Sequence, residues 1–290
     1  MRDAPQARVL PDGRLHLQHG PIDLILGADA DPGAKGAAFR AAIARFATVL
    51  DELCAELAGL RAPAGPGAPP LRGPVARRMA AAVRPHAARG FITPMAAVAG
   101  AVADEVLAAM AAGAPLRRAY VNNGGDIALH LLPGERFRIG MVDRPDRTGL
   151  FGAAEVGADG PIRGLATSGW RGRSFSFGIA DAVTVLAATA AEADAAATVV
   201  ANAVDLPGHP AVRRTPAAEM QPDSDLRRRR VTAAVGALTP GEIGRALDGG
   251  ARVAGRLLQD GLIAAAAMHC QGVTRVAGDA PVLALEAADA

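Results

Sequence analysis

The segment RAYVNNGGDIALHLL, residues 118–132, contains two strand-like runs on either side of a glycine turn. RAYV and IALHLL are rich in apolar and β-favouring residues, and NNGGD between them has the composition of a tight hairpin turn. ERFRIGMV (135–142) continues the strands and is followed by a predicted turn, DRPDRTG (143–149). Neighbouring strands of this kind predict an antiparallel sheet rather than βαβ units.

Helical patterns surround these strands. A long amphipathic helix is predicted over 37–61, and a Pro/Gly surface loop over 62–74. The next helix, 75–86, is expected to end at its proline, and the one after it to begin with Thr93 as its cap and Pro94 in its first position. The predicted helices cover 37–61, 75–86, 92–113, a segment from about Ala190, and 241–260.

Further strands are predicted near both ends of the chain. They fall within 7–29, as a hairpin plus a strand at 22–26, at the VTVLA end of 174–187, over 231–238 and within 261–278, whereas 203–225 is expected to be loop. The pattern predicts an α+β protein in which antiparallel sheets pack with helices. We expect a single domain over 1–290, which could comprise two closely packed sublobes.

Composition excludes several classes of partner. The net charge is +2, and the one basic run, Arg227 to Arg230, lacks aromatic neighbours that could stack on bases, so no nucleic-acid partner is expected. The apolar window 94–113 is interrupted by Asp104 and Glu105, so we predict no membrane span. It could be core or a dimer face, which leaves a homo-oligomer open.

The chain is expected to be cytoplasmic. Its N-terminus lacks the apolar region of a signal peptide. Cys54 and Cys270 lie far apart and outside any CxxC spacing, which favours two reduced core thiols.

Three segments could carry chemistry. In NNGGDI (122–127) the glycines allow a ligand to approach the backbone, although the sequence alone favours a plain hairpin turn. ATSG (166–169) suits a loop that contacts phosphate, or an ordinary turn. In AEADAAATVVANAV (191–204), Asp194 and Thr198 are four residues apart and share a helix face, which Asn202 continues.

The Asp194–Thr198 face has two interpretations. Carboxylate and hydroxyl oxygens suit Mg²⁺ and do not suit zinc. Alternatively, the helix is a core helix whose acid complements the helix dipole. The six histidines are scattered, and the chain has no Walker A loop, no GxGxxG fingerprint and no GxSxG serine, so no catalytic residue can be assigned.

In this order and spacing, NNGGDI, LATSG, VTVLA and AEADAAAT resemble the ApbE family, the flavin transferases that split FAD and attach FMN to a threonine of a target protein. The similarity is greatest to a short cytoplasmic branch without a lipoprotein signal, in which PMAAVAGAVADEV, HPAVRR and DSDLRRRRVT are also expected. The resemblance implies an ApbE-like fold, FAD and Mg²⁺ as cofactors, and a small-molecule nucleotide cofactor as the partner.

The resemblance also implies site residues. The flavin nucleotide would be bound by Asn123, Gly124, Gly125, Asp126, Thr167, Ser168 and Gly169, and the metal by the Ala166 carbonyl, Asp194 and Thr198. One departure from the family pattern bears on activity. Flavin transferases carry a segment like HIIDPRTG after ATSG, where this chain has WRGRSFSFGIADA, with Phe177 after the serine. Arg171, Arg173 and Ser176 could contact an anion, and none is an obvious general base.

Three functions therefore stand side by side. The first is a Mg²⁺-assisted transferase or hydrolase that acts on FAD or a related nucleotide. The second is a protein that binds a flavin, pterin or other cofactor without cleaving it. The third is a structural scaffold in which Asp194 and Thr198 only support a helix.

Overall fold

The computed structural model describes residues 4–142, 150–278 and 282–284. Two compact units account for the chain. Unit 1 comprises Met1–Arg136, Gly157–Ala166 and Ala187–Ala195, and unit 2 comprises Phe137–Val156, Thr167–Leu186 and Ala196–Ala290. The described strands and helices are mixed in both units, which confirms the α+β class.

The described part of the chain contains these elements. The strands are β1 (Gln6–Val9), β2 (Leu15–His19), β3 (Ile22–Asp29), β4 (Arg118–Asn123), β5 (Asp126–Leu131), β6 (Arg136–Val142), β7 (Leu150–Gly157), β8 (Gly164–Ser168), β9 (Ala182–Ala187), β10 (Val212–Pro216), β11 (Arg230–Val235), β12 (Ala265–Cys270), β13 (Val273–Ala277) and β14 (Val282–Ala284). The helices are α1 (Pro32–Ala55), α2 (Leu57–Leu60), α3 (Pro74–Ala87), α4 (Val98–Gly113), α5 (Ala190–Ala203), α6 (Ala217–Met220) and α7 (Pro240–Gln259), with a 3-10 turn at Pro94–Ala97 before α4.

Unit 1 is built on an antiparallel sheet. Strands β1 to β5 pair in chain order, and β5 also pairs with the start of β8, where Ile127 is opposite Leu165. One face of the sheet is apolar because alternate residues point the same way, and Leu15, Leu17, Leu24 and Leu26 are all buried. Helix α4 packs on β4 and β5 and against α1, whose Phe46 is buried. This packing forms the core of unit 1.

Unit 2 contains three antiparallel arrangements. Strand β12 pairs with β9 on one side and β13 on the other, and α7 packs on β12 and β13. Strands β10 and β11 form a pair, and β7 lies between β6 and β14. Helix α7 begins with a complete capping box between Thr239 and Glu242, which explains its well-defined start. Cys270 is buried and Cys54 is partly exposed, and both are unpaired thiols.

Several local predictions need correction. Pro85 lies inside the last turn of α3 and does not end it, and the side chain of Thr93 makes no capping bond. The segment 203–225 is not all loop, since it contains β10 and α6. ATSG is not a loop up to Ser168, because Ala166–Ser168 form the end of β8. Strands β7 and β14 had not been predicted, and the predicted turn at 143–149 lies outside the described residues.

Other predictions are confirmed. The N-terminal hairpin and third strand, the absence of regular structure over 62–73, the NNGGD hairpin and the start of a helix at Ala190 are all observed. The segment Pro94–Gly113 is long and apolar enough to cross a membrane by length and composition, a test that core helices also pass. Within unit 1, Glu105 of this segment binds Arg45 and Arg78, and Asp104 binds backbone amides, as expected of a packed helix.

Candidate functional site

The NNGGD turn is a two-residue hairpin between β4 and β5. Asn123 pairs with Asp126, and Gly124 (φ 64°) and Gly125 (φ 114°) lie between them in the left-handed region that favours glycine. The Gly125 N–H donates to Asn122 Oδ1 at 2.8 Å, which fixes the turn. The hairpin interpretation of these glycines is therefore correct, and the turn places Asp126 at the first position of β5.

Helices α4 and α5 cap each other within unit 1. Asp104 of α4 accepts from the N–H groups of Ala190 (3.1 Å) and Ala191 (2.9 Å), the first two residues of α5. In return, Asp194 of α5 accepts from the N–H of Gly100 at the start of α4 (3.1 Å). Amide groups in a first helical turn lack partners inside the helix, so each carboxylate satisfies donors of the other helix and complements its dipole.

The β4–β5 hairpin also contacts the start of α4. Asn123 Nδ2 donates to the carbonyl of Ala99 at 3.0 Å, just before the Gly100 amide that binds Asp194. The start of α4 thus contacts both the hairpin and α5. This arrangement assigns Asn123 a structural contact that its sequence motif did not reveal.

Two glycines allow α5 to approach this closely. A Cβ atom on Gly100 would lie 2.2 Å from the Ala190 carbonyl oxygen, and one on Gly164 would lie 2.0 Å from the Thr189 carbonyl carbon. Both obstacles are backbone atoms, which cannot turn aside as a side chain can. The start of α5 is therefore packed against α4 and β8 at distances that only glycine permits.

Two carboxylates meet at this point. Asp126 is buried and hydrogen-bonds with Asp194. Burial, and then the charge of Asp126, raise the pKa of Asp194 well above its usual range, while the amide of Gly100 acts in the opposite direction. Ala166 lies close to Asp126 in the register of β5 and β8. Ile127 pairs with Leu165, and the next residues on the two strands are Asp126 and Ala166.

This donor set fits a hard cation better than zinc. Among the residues that the structure describes, no group of three or more His, Cys, Asp or Glu side chains could hold a metal ion. Two adjacent carboxylates beside a backbone carbonyl are, however, the oxygen donors that Mg²⁺ uses when water and phosphate complete its coordination. A divalent cation would also remove the repulsion between Asp126 and Asp194 when both are ionised.

The remaining predicted residues belong to unit 2. Thr167 Oγ1 hydrogen-bonds with Thr184 Oγ1 at 2.8 Å, and Ser168 ends β8. A Cβ atom on Gly169 would lie 2.3 Å from the Asp181 carbonyl oxygen, so this glycine is needed for packing. Thr198 follows Asp194 by one helical turn and is partly exposed. The structure thus groups Asn123 to Asp126, Ala166 and Asp194 in unit 1, and Thr167 to Gly169 and Thr198 in unit 2.

The segment that replaces HIIDPRTG is held by internal contacts. Arg171 Nε donates to Asp181 at 2.5 Å. Asn202 Oδ1 accepts from the Ser176 hydroxyl (3.1 Å) and from the Phe177 N–H (2.8 Å). Asn202 was predicted to continue the Asp194–Thr198 face, and its side-chain oxygen supports this loop.

Sequence reasoning missed Gly100 and the role of Asp104. Asp104 had been interpreted only as a charge that interrupts an apolar window. The sequence did contain a signal, since Asp104 follows Gly100 by four residues and shares its helix face, in a segment rich in small apolar residues. That pattern does not identify the partner, because Ala190 is 86 residues away.

The family of the chain follows from a comparison with protein-family models. The model described as AbpE bacteria matches residues 7–276, so the chain belongs to that family. The resemblance to ApbE-like proteins drawn from the four motifs is thereby confirmed at the level of the family and its fold.

Curated relatives are found among archaeal proteins. A UPF0280 protein of Methanothrix thermoacetophila is 39% identical over 142 residues, which are 45% of this chain and 52% of the relative. A UPF0280 protein of Methanosphaerula palustris is 40% identical over 147 residues, or 47% and 55% of the two chains. This chain therefore matches about half the length of these relatives.

One solved structure is a distant neighbour. The apo form of the Pseudomonas stutzeri flavinyl transferase ApbE aligns over 95% of both chains, with 14% sequence identity and a TM-score of 0.45. A likeness of this degree is too distant to indicate an activity.

Proposed function

We propose that this ApbE-like protein binds FAD or a related nucleotide cofactor together with Mg²⁺, and that it cleaves the phosphoanhydride of the nucleotide. The observation that carries the proposal is the contact between the Asp126 and Asp194 carboxylates beside the glycine hairpin. Membership of the ApbE-like family supports the choice of flavin as the nucleotide.

The carboxylate pair supports a metal site on physical grounds. Asp126 is buried and Asp194 is half-buried, and two such carboxyl groups in contact cannot both be ionised at low cost. Without a cation a protonated form is therefore favoured, which raises the pKa of Asp194. Bound Mg²⁺ would replace that proton. Asp126 and Asp194 would hold the ion, and the Ala166 carbonyl would be a third donor.

The metal would supply charge neutralisation for the diphosphate, which favours cleavage of the phosphoanhydride. The protein's own residues would position the nucleotide. The backbone of the hairpin is accessible at Gly125, because an added Cβ atom there would meet nothing within 4 Å. An approaching phosphate or ring could therefore contact the backbone of the hairpin.

A structural role for Asp194 is the main rival interpretation, because its Oδ2 already caps α4. Asp194→Asn separates the two, since an amide oxygen can still accept from the Gly100 N–H while the negative charge is lost. Glu192→Gln is the matched control, because Glu192 is exposed and lies on the same helix two residues earlier.

The test is calorimetric titration of FAD into metal-stripped protein with and without Mg²⁺, followed by chromatography of the nucleotide. We expect Mg²⁺ to strengthen FAD binding to the wild type and to Glu192→Gln. In both proteins water attacks the phosphoanhydride and FAD is hydrolysed to FMN and AMP, whereas Asp194→Asn loses the Mg²⁺ effect. Intact FAD after long incubation, and no heat with or without Mg²⁺, would refute the proposal.

A second function, cofactor binding without cleavage, is favoured by the 170–181 segment. Arg171 and Ser176 lie in the segment that stands in place of HIIDPRTG. Both are engaged in contacts within unit 2. This function predicts that a flavin or pterin co-purifies intact and can be identified by mass spectrometry. Binding of FAD without release of FMN would favour it over the first proposal.

A further inference from the structure

All the amide groups in the first turn of α5 have partners within unit 1. Asp104 accepts from Ala190 and Ala191, and Thr189 Oγ1 accepts from Glu192 at 3.2 Å. The Ala193 N–H donates to the Thr189 carbonyl at 3.1 Å, which begins the regular helical bonding. The helix therefore needs an acid from a different helix to complete its cap.

The contacts between α4 and α5 form a two-point clamp. Gly100 and Asp104 are four residues apart and share a face of α4, and Ala190 and Asp194 are related in the same way on α5. Asp104 holds the first turn of α5, and the Gly100 amide holds the Asp194 carboxylate one turn later. Because the two contacts lie along both helices, they prevent α5 from rotating or sliding, and either movement would displace Asp194.

We propose that Asp104 is a positioning residue for the Asp194 carboxylate, an inference that rests on the proposed metal site. It is not proposed as a ligand of the metal or of the nucleotide, and it acts by fixing α5 so that Asp194 Oδ2 stays on the Gly100 amide, beside Asp126. Burial raises the pKa of Asp104 to about 6, while the two α5 amides lower it, so the carboxylate is ionised in assays at pH 8.

Asp104→Ala removes both capping bonds, and Asp104→Asn keeps one oxygen acceptor and loses the charge. Glu105→Gln is the matched control, because Glu105 is adjacent on α4 and its partners are Arg45 and Arg78. That control weakens ion pairs of the same helix without touching α5. It therefore reproduces a general loss of stability while leaving the clamp intact.

The first readout is the binding of Mn²⁺ without nucleotide, which is measured by the loss of the free-ion signal in electron paramagnetic resonance. Changes to groups that orient metal ligands commonly weaken metal affinity about 10- to 100-fold. We expect a loss of about that size in Asp104→Ala, a smaller loss in Asp104→Asn, and an affinity within about twofold of wild type in Glu105→Gln. The second readout is hydrogen exchange of the Gly100 amide in metal-free protein, which should be faster in Asp104→Ala than in Glu105→Gln.

The outcomes separate the two proposals. Unchanged Mn²⁺ affinity in both Asp104 variants would overturn the positioning role, even if exchange at Gly100 became faster. Failure of the wild type to bind Mn²⁺ would instead refute the metal site. In that case hydrogen exchange alone decides the positioning role. Equal exchange rates of the Gly100 amide in Asp104→Ala and wild type would overturn that role, and faster exchange in Asp104→Ala would support it.

Discussion

Substituting Gly100 by alanine should test the close contact between α4 and α5. An added Cβ atom would lie 2.2 Å from the Ala190 carbonyl oxygen and 2.7 Å from the Ala191 nitrogen. Non-bonded heavy atoms prefer separations of about 3.5 Å, so α5 must retreat by about 1 Å. Such a shift would lengthen the 3.1 Å bond from the Gly100 N–H to Asp194 beyond hydrogen-bond distance.

The expected change in the free energy of unfolding combines three effects. Overpacking of this kind typically destabilises by about 1–3 kcal/mol. Loss of the hydrogen bond to Asp194, a carboxyl group whose pKa is raised, adds about 0.5–1.5 kcal/mol. Alanine is favoured over glycine in a helix by about 1 kcal/mol, which offsets part of the loss. We therefore expect Gly100→Ala to destabilise unit 1 by about 1–3 kcal/mol.

Urea unfolding followed by far-ultraviolet circular dichroism would measure this change, with a lower midpoint at an unchanged slope. Gly33→Ala is the matched control, because Gly33 also lies in the first turn of a helix of unit 1 and an added Cβ atom would meet nothing within 4 Å. That control should be neutral or slightly stabilising. If Gly100→Ala proved as stable as Gly33→Ala, the contact between the two helices would be looser than described.

Three further predictions concern carboxylates. The pKa of Asp104 is higher in the folded protein (about 6) than in the unfolded chain, so its contribution to stability is present below pH 4 and lost as the pH rises to about 7. Relative to Asp104→Asn, the wild type should therefore lose about 3 kcal/mol over that range in urea unfolding, and a constant difference would contradict this. Glu242 behaves in the opposite way, because the amide of Thr239 and then His209 lower its pKa to about 2. Its contribution to stability is therefore lost as the pH falls from about 4.5 towards 2. The stability of Glu242→Gln should depend less on pH over this acid range. Asp181→Ala should destabilise unit 2 by about 3 kcal/mol, because Arg171 loses its 2.5 Å partner. Fluorescence of the single tryptophan during urea unfolding measures that change, and a loss below about 1 kcal/mol would show that the ion pair is dispensable.

Local signals in the sequence were reliable where the stabilising contacts are themselves local. The Gly124–Gly125 turn was predictable because a two-residue hairpin needs positive φ angles, and the start of α5 because Thr189 can bind the amide of Glu192 three residues later. Thr93 is also a residue type that caps helices, yet its side chain makes no cap where the 3-10 turn begins. A capping residue indicates a helix start and does not determine the geometry of its first turn.

The candidate site was predictable only in part. The motifs identified Asp126 and Asp194 as separate candidates, and their contact could not be read from a sequence in which they lie far apart. Asp104 and Gly100 were not predicted at all, since their partners on α5 are 86 and 94 residues away. Helix periodicity shows which residues share a face and does not show which helix that face meets.

The sequence by itself determined the α+β class, the antiparallel hairpins and the starts of α3, α5 and α7, because these depend on turn residues, caps and hydrophobic periods that act over a few positions. The tertiary structure alone decided that α4 and α5 cap each other and that two carboxylates meet beside the hairpin. The physical reason is that amides in a first helical turn and buried carboxylates must find partners wherever the fold places them. The acids of α4 and α5 found such partners on the helix packed against them.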